Sequence, residues 1–238
     1  MKEEGGIWRH ELKYMCTAPQ LSIIEHRIRP LMERDAHAGA EGVYAIRSVY
    51  FDDAWNRCFY ENQDGTDPRE KFRIRIYNGS ASRITLELKQ KLQGMTRKLS
   101  CLLTCEQCRA ILGGEMLAVQ EGMPELLVKF AAQQRERRLT AKVIVEYDRI
   151  PYTLRLGNVR ITLDRNLTAS DSTELFLEGG FLKRPVMPEG FHILEVKYDA
   201  FLPDFVRQAL QLESLQRTSF SKYYECRKRG TNGISGYL

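Results

Sequence analysis

At 238 residues the chain is the size of one large domain or two small ones, and all-β barrels reach this length as single units. A hydrophobic fraction of 43% supplies a core and a charged fraction of 28% does not overwhelm it, which excludes a disordered chain. The net charge of +5 is too small to name a partner, and no apolar run is long enough to span a bilayer as a helix.

Met1 to Trp8 carry no apolar run, so no secretory signal is expected and the chain reads as cytoplasmic. Residues 9–16 (RHELKYMC) alternate in type, and Thr17 with Pro19 marks a helix start. Leu21, Ile24, Ile28, Leu31 and Met32 recur at helical spacing, predicting an amphipathic helix over 21–32. A small-residue loop from His37 to Gly42 leads into residues 43–51 (VYAIRSVYF), a β-branched and aromatic strand. Asp52 to Asp67 reads as irregular chain or short helix. Three strands follow over 70–77, 83–91 and 95–102, with Asn78-Gly79 and Gln93-Gly94 as the turns of an antiparallel meander. Thr104 caps a helix to about Leu112, Gly113-Gly114 breaks it, and 118–135 predicts another helix interrupted near Gly122 and Pro124. Strands return at 140–150, 152–156 and 159–164, then a polar loop (ASDSTE), then a strand at 191–198 (FHILEVKY). Pro203 opens a helix to about Leu215, and Ser219–Arg229 is a terminal helix. No repeat or linker divides the chain, so residues 1–238 read as a single domain.

The six cysteines are Cys16, Cys58, Cys101, Cys105, Cys108 and Cys226. Cys105 and Cys108 form a C-x-x-C, but no second pair completes a tetrahedral site and no thioredoxin-like pattern surrounds it. All six read as small, partly buried thiols. The histidines (His10, His26, His37, His192) are scattered, and no Ser or Cys has a base at an identifiable spacing.

The informative pattern is the distribution of charge along the strands. A strand sends alternate side chains to opposite faces. Arg9, Glu11 and Lys13 therefore share one face. Arg73 and Arg75 oppose Phe72, Ile74 and Ile76, while Glu87, Lys89 and Lys91 oppose Leu86 and Leu88. Arg160, Thr162 and Asp164 oppose Val159, Ile161 and Leu163, and Glu195 with Lys197 opposes Leu194 and Val196. For a single strand this is a solvated outer face. Here the same grammar repeats on nearly every long strand, and the helices need an apolar sheet face to cover. If helices cover the apolar faces, the charged faces look at one another and enclose a channel lined by Lys, Arg and Glu. Buried unpaired cations cost several kcal/mol each, so a polyanion is the natural occupant. Arginine forks match phosphate oxygens, lysines add point charge, and glutamates pair with cations or hold a divalent metal.

The strings RHELKY, RSVYFDD, KFRIRIY, LELKQK, VRITLD, LEVKY and SFSKY follow one another in that order. Their order and spacing resemble the VTC domain, the catalytic domain of the vacuolar transporter chaperone complex, over about residues 9–226. The resemblance implies an α+β fold of the triphosphate tunnel metalloenzyme, or CYTH-like, type: an eight-stranded antiparallel β tunnel with helices outside. It implies a polyphosphate polymerase that transfers the terminal phosphate of ATP to a growing chain of inorganic polyphosphate, or to pyrophosphate, inside the tunnel. On the residues that match, Lys13, Arg73, Arg75, Lys89, Arg149 and Arg160 are the implied phosphate binders. Lys222 is implied to close one end, and Glu195 to bind the metal with Lys197 beside it. Lys98 or Arg97 supplies a further basic residue, and the spacing leaves that choice open. Glu87 and Glu11 assist the metal or pair with lysines, Asp164 is metal-linked or a salt-bridge partner, and Arg47 faces phosphate or solvent. Oxygen ligation implies Mg²⁺ or Mn²⁺ rather than zinc.

The chain departs from the eukaryotic pattern, which carries a basic residue just past a Tyr pair; Phe59-Tyr60-Glu61-Asn62 offers none. It also lacks the transmembrane part of that complex, so coupling to a membrane would need a separate membrane protein. Three rivals stay in view: a hydrolase of tripolyphosphate or a nucleoside triphosphate on the same fold, a non-catalytic polyphosphate-binding module, and nucleic-acid binding. Against the last, Tyr50, Phe51, Phe72 and Tyr77 read as core rather than as a base-stacking platform. No nucleic-acid partner is expected.

Overall fold

Strands and helices alternate in a computed structural model that describes residues 6–35, 38, 39 and 41–231, without the side chains of Arg229 and Thr231. His37 and Ala40 of the expected loop lie outside the described residues, as do Met1 to Gly5. In chain order the elements are β1 (His10–Thr17), α1 (Ala18–Ile28), β2 (Glu33–Arg34), β3 (Tyr44–Asp52), α2 (Arg57–Gln63), β4 (Arg69–Tyr77), β5 (Ser80–Leu92), β6 (Met95–Leu103), α3 (Cys105–Leu112) and α4 (Glu125–Arg137). There follow β7 (Thr140–Leu154), β8 (Val159–Ser170), β9 (Arg184–Pro185), β10 (Phe191–Tyr198), α5 (Asp204–Leu210), β11 (Gln216–Arg217) and α6 (Lys222–Thr231).

The local chemistry explains most boundaries. Thr17 and Gln20 form a capping box at α1, and Thr104 and Gln107 form one at α3. Asn78-Gly79 and Gln93-Gly94 all have positive φ, the conformation that closes two-residue hairpins tightly. Helix α1 stops at Ile28, short of the expected Met32: Arg29 still has helical backbone angles, but Pro30 has no N–H with which to continue the helical ladder. The expected break at 150–152 is absent. Strand β7 runs through Pro151, which lies beyond the last β3 pair, Tyr44 opposite Arg149.

The sheet is antiparallel, in the order β11-β1-β10-β8-β7-β3-β4-β5-β6, with β2 beside β7 and β9 beside β8. The expected count of eight strands and the closed tunnel are both corrected. The sheet has eleven strands, three of them (β2, β9 and β11) two residues long, and its ladder does not close. The curled sheet brings β1 near β6 through one isolated bridge, Arg9 opposite Thr96, where both backbone N–H···O distances are 2.9 Å. The two edges thus meet at a single residue pair among the described residues.

Three apolar clusters set the architecture. One packs Phe72, Ile74, Ile76, Leu86 and Leu88 of β4 and β5 against Leu127 and Phe130 of α4. A second packs Leu194, Val196, Ile161 and Leu163 of β10 and β8 against α1 and α5. These are the helix-covered outer faces that the alternation requires. The third cluster lies on the inner face. Ile46, Val143, Val145, Ile193 and Ala169 pack against Tyr223 and Cys226 of α6, so the terminal helix fills one part of the interior with apolar side chains. All six cysteines are free thiols. No helix among the described residues is long and apolar enough to cross a membrane.

Asp52 fastens this plug. Its carboxylate accepts from the backbone N–H of Cys58 and Phe59 at 2.9 and 3.1 Å and from the Tyr223 hydroxyl at 2.5 Å, and the residue is fully buried. Replacing Asp52 by Ala strands these buried donors, and we expect a loss of about 3 kcal/mol in urea unfolding. A loss under about 1 kcal/mol would mean that α6 docks through its apolar contacts alone.

Candidate functional site

The inner wall encloses a cavity of about 790 Å³. Its lining takes in Lys13, Arg73, Arg75, Lys89, Lys98, Arg149, Arg160, Glu195, Lys197 and Lys222, so the basic residues expected from the sequence and Glu195 come together in one space. The strand registers place them. Lys13 stands opposite Glu195 and Glu11 opposite Lys197 across β1–β10, Arg73 opposite Glu87 across β4–β5, and Arg149 opposite Asp164 across β7–β8.

Each interior carboxylate is shared among several cations. Glu11 reaches Lys89 at 2.6 Å, Lys13 at 3.1 Å and Lys197 at 3.5 Å. Glu195 reaches Lys197 at 2.7 Å, Lys13 at 3.8 Å and Arg149 at 3.9 Å. Glu87 reaches Arg73 at 2.6 Å, Lys98 at 3.2 Å and Arg75 at 3.7 Å. Asp164 takes a two-pronged contact from Arg149 at 2.6 and 2.7 Å and a third from Lys222 at 2.6 Å. Burial alone would raise the pKa of all four carboxyls. The neighbouring cations outweigh it and hold Glu11, Glu87, Asp164 and Glu195 below the ordinary carboxylate range. The cations outnumber these acids, and the excess shows on Lys89. Burial, with Lys13 and Lys197 nearby, brings its pKa down to about 7 despite Glu11.

Several open choices resolve in geometry. Lys98 and Arg97 both line the cavity; Lys98 reaches Glu87, while the Arg97 guanidinium lies over the Trp8 ring at 4.8 Å and bonds Gln90 at 2.7 Å. Arg47 is not in the cavity; it bonds Glu146 at 2.6 Å and lies over Phe181. Arg160 reaches the Tyr44 hydroxyl at 3.1 Å and Asp35 at 2.8 Å. Phe51 and Phe72 are core, as expected, but Tyr50 and Tyr77 line the cavity together with Tyr44 and Tyr147. Tyr50 accepts from Arg73 at 2.9 Å and Tyr147 from Arg75 at 3.4 Å, so rings that belong to the third apolar cluster also orient guanidinium groups at the cavity wall.

Sequence reasoning missed Lys71. It precedes Arg73 and Arg75 by the same step of two, which was the available signal, and its ammonium enters the same cavity.

The acidic residues fit a hard divalent cation only in part. Among the described residues no three His, Cys, Asp or Glu side chains gather into a metal cage. Glu195 shares Lys13 and Lys197 with Glu11, but it shares no ion-pair partner with Glu87. The geometry thus brings Glu195 together with Glu11, and leaves Glu87 as the anchor of Arg73, Arg75 and Lys98. Opposite Glu195 in the β8–β10 ladder, the buried Thr162 hydroxyl has no hydrogen-bond partner in the structure. Two carboxylates and an unsatisfied hydroxyl suit Mg²⁺ or Mn²⁺, which take few protein ligands and complete their shell with water and substrate phosphate.

Comparison with known proteins bears on this geometry. A family model described as the VTC domain matches residues 8–229. A candidate adenylate cyclase from Bacillus halodurans superposes with a TM-score of 0.50 at 14% identity, covering 90% of this chain and 91% of that one. A candidate adenylyl cyclase from Hippeastrum, whose structure is described as revealing a dominant triphosphatase activity, superposes at 0.51 and 14% identity, covering 93% and 96%. At this identity the likeness is one of fold. A search of curated proteins gives no match.

The charge excess sets a pH dependence with a definite sign. Lys71 and Lys89 both have pKa values near about 7, against 10.5 for a free lysine. Below pH 7 they are charged in folded and unfolded chains alike, and their burial cost is fully present. Between about 7 and 10 the unfolded chain holds more protons, so stability rises with pH. The carboxylates act at the other end: their stabilisation is complete above the unfolded carboxyl pKa of about 4 and is lost as pH falls through the folded values. We expect the urea midpoint of the ligand-free protein to be higher near pH 9 than near pH 6.5 and to collapse in acid. A midpoint that falls between pH 6.5 and 9 would contradict the charge excess.

Proposed function

The chain belongs to the VTC-domain family, and on that premise we propose that it is a metal-dependent polyphosphate polymerase with ATP as phosphate donor. The β–γ bond of ATP breaks, a bond forms between the terminal phosphorus and an end oxygen of the polyphosphate chain, and ADP leaves. The observation that carries this reading is the cavity itself, lined by Lys13, Arg73, Arg75, Lys89, Arg149, Arg160, Lys197 and Lys222 with only Glu11 and Glu195 as acids among them. Such a wall neutralises several phosphate charges at once, and phosphoryl transfer depends mainly on positioning and charge neutralisation.

Within this reading Arg73 and Arg75 present guanidinium groups fixed by Glu87, Tyr50 and Ser48, ready to fork phosphate oxygens. Lys13 is set between Glu11, Glu195 and the Phe220 carbonyl, and Lys222 is pinned by Asp164 at the start of α6. Glu195 with Glu11 would hold Mg²⁺ or Mn²⁺, and the chemistry such an ion would supply there is neutralisation of phosphoryl charge. Glu87 keeps its three cations in place and is a positioning residue.

A second reading, hydrolysis of tripolyphosphate, draws on α6. Its apolar packing fills part of the interior, which suits a short substrate better than a long chain. The discriminating experiment incubates the protein with ATP and Mn²⁺ or Mg²⁺, resolves polyphosphate on a stained gel and assays free phosphate. Long chains with ADP and little free phosphate are expected; free phosphate without chains, above all from tripolyphosphate, favours the hydrolase. Among variants, Glu195→Gln is expected to lower turnover by about a hundredfold or more while tripolyphosphate affinity changes little. Arg75→Ala and Lys89→Ala each weaken that affinity by about tenfold or more. Full activity in Glu195→Gln would remove Glu195 from the metal site.

A further inference from the structure

Lys71 stands apart from the cations of the wall that pair with acids, as do Arg69, Lys91, Arg97 and Arg217 of the same lining, and it alone among these five is held by both α2 and the segment before α6. Lys13, Arg73, Arg75, Lys89, Lys98, Arg149, Arg160, Lys197 and Lys222 each contact a carboxylate. The Lys71 ammonium has none in ion-pair range among the described residues. Its hydrogen bonds go to neutral oxygens, Asn62 Oδ1 on α2 at 2.9 Å and Ser221 Oγ before α6 at 3.3 Å, and it lies over the Tyr223 ring at 5.3 Å. Across the ladder it faces Lys89, another cation. Three elements thus converge to hold a cation that no protein anion neutralises.

An ammonium in such a place costs stability, and a fold gains nothing structural from it: a neutral side chain would pack there without the penalty. Burial, followed by the repulsion of Arg69 and Lys13, draws its pKa down to about 7, even with Asp52 in the vicinity. A ligand bearing negative charge removes that penalty and fixes the ammonium in its charged form.

We propose that Lys71, aimed by Asn62 and Ser221, forms a separate phosphate subsite of the cavity, taking one phosphoryl group of a bound inorganic polyphosphate. The assignment rests on the polyphosphate reading for the ligand's chemical class. The bound phosphoryl oxygen accepts from the ammonium in addition to the two neutral contacts, which matches the three donors of a lysine.

The test is calorimetric titration of inorganic tripolyphosphate into the full-length protein and into Lys71→Met, Lys71→Arg and Arg75→Ala, with thermal melts of each ligand-free form. Lys71→Met should bind about tenfold more weakly while melting at or above the unsubstituted protein, because it removes an uncompensated charge from a site of similar volume. Lys71→Arg should bind within about threefold, which separates loss of charge from a packing defect. Unchanged affinity in Lys71→Met, alongside the loss in Arg75→Ala, overturns the subsite and leaves the polyphosphate reading standing. A lowered melting temperature with unchanged affinity makes Lys71 structural and also overturns it. If the unsubstituted protein does not bind tripolyphosphate, the polyphosphate reading fails first and the subsite with it.

Discussion

Too much positive charge inside a curled sheet is the constraint on which the rest of this structure depends. The inner wall carries more cations than acids, and every acid is divided among two or more of them. A buried ion pair gives little net stability, because desolvation consumes most of the attraction. The wall is therefore maintained against its own repulsion by what lies outside it. Two apolar clusters, one under α3 and α4 and one under α1 and α5, bury the opposite faces of the same strands. Since a strand cannot turn one side chain without moving its neighbours, the packed outer face fixes the direction of each inner cation.

Helix α6 belongs to both halves of this balance. Tyr223 and Cys226 complete an apolar cluster on the inner face, while Lys222 and Ser221, at the start of the same helix, enter the charged part of the cavity. Asp52 ties the two roles together by holding Tyr223 and the start of α2 at once. A shift of α6 would move Lys222 away from Asp164 and Ser221 away from Lys71, so the position of the helix and the electrostatics of the cavity are linked.

Much of this was legible in the sequence because strand period is rigid. The step of two in RHELK, KFRIRIY, LELK and LEVK placed the charged residues on one side, and the need to cover the apolar side then enclosed them. Where that rule failed, the cause was tertiary. Tyr50 and Tyr77 sit at inward positions of their strands, and a guanidinium neighbour, Arg73, gives the Tyr50 hydroxyl a role. Ile46, Val143 and Val145 are also inward, a placement that makes sense only once α6 covers them. The three two-residue strands carry no periodicity to read, and closure depends on sheet curl, which no local pattern encodes. Lys71 was in plain view one step before Arg73. It lacked only the context that marks it, the absence of an acid beside it.

The way the acids are shared suggests how such a wall exchanges its contents. Glu11 spreads over Lys13, Lys89 and Lys197, and Glu195 over Lys13, Lys197 and Arg149, so neither acid is committed to a single cation. A phosphate arriving among them can take one contact from a lysine while the carboxylate keeps the others, and no acid is left buried and bare. Exclusive one-to-one pairs would behave differently: each phosphate contact would expose a desolvated carboxylate at a cost of several kcal/mol. On the proposed polyphosphate reading, such sharing would lower the barrier to entry and exit along the wall. Arg149, held by both oxygens of Asp164, is the exception and a fixed point against which the rest can move.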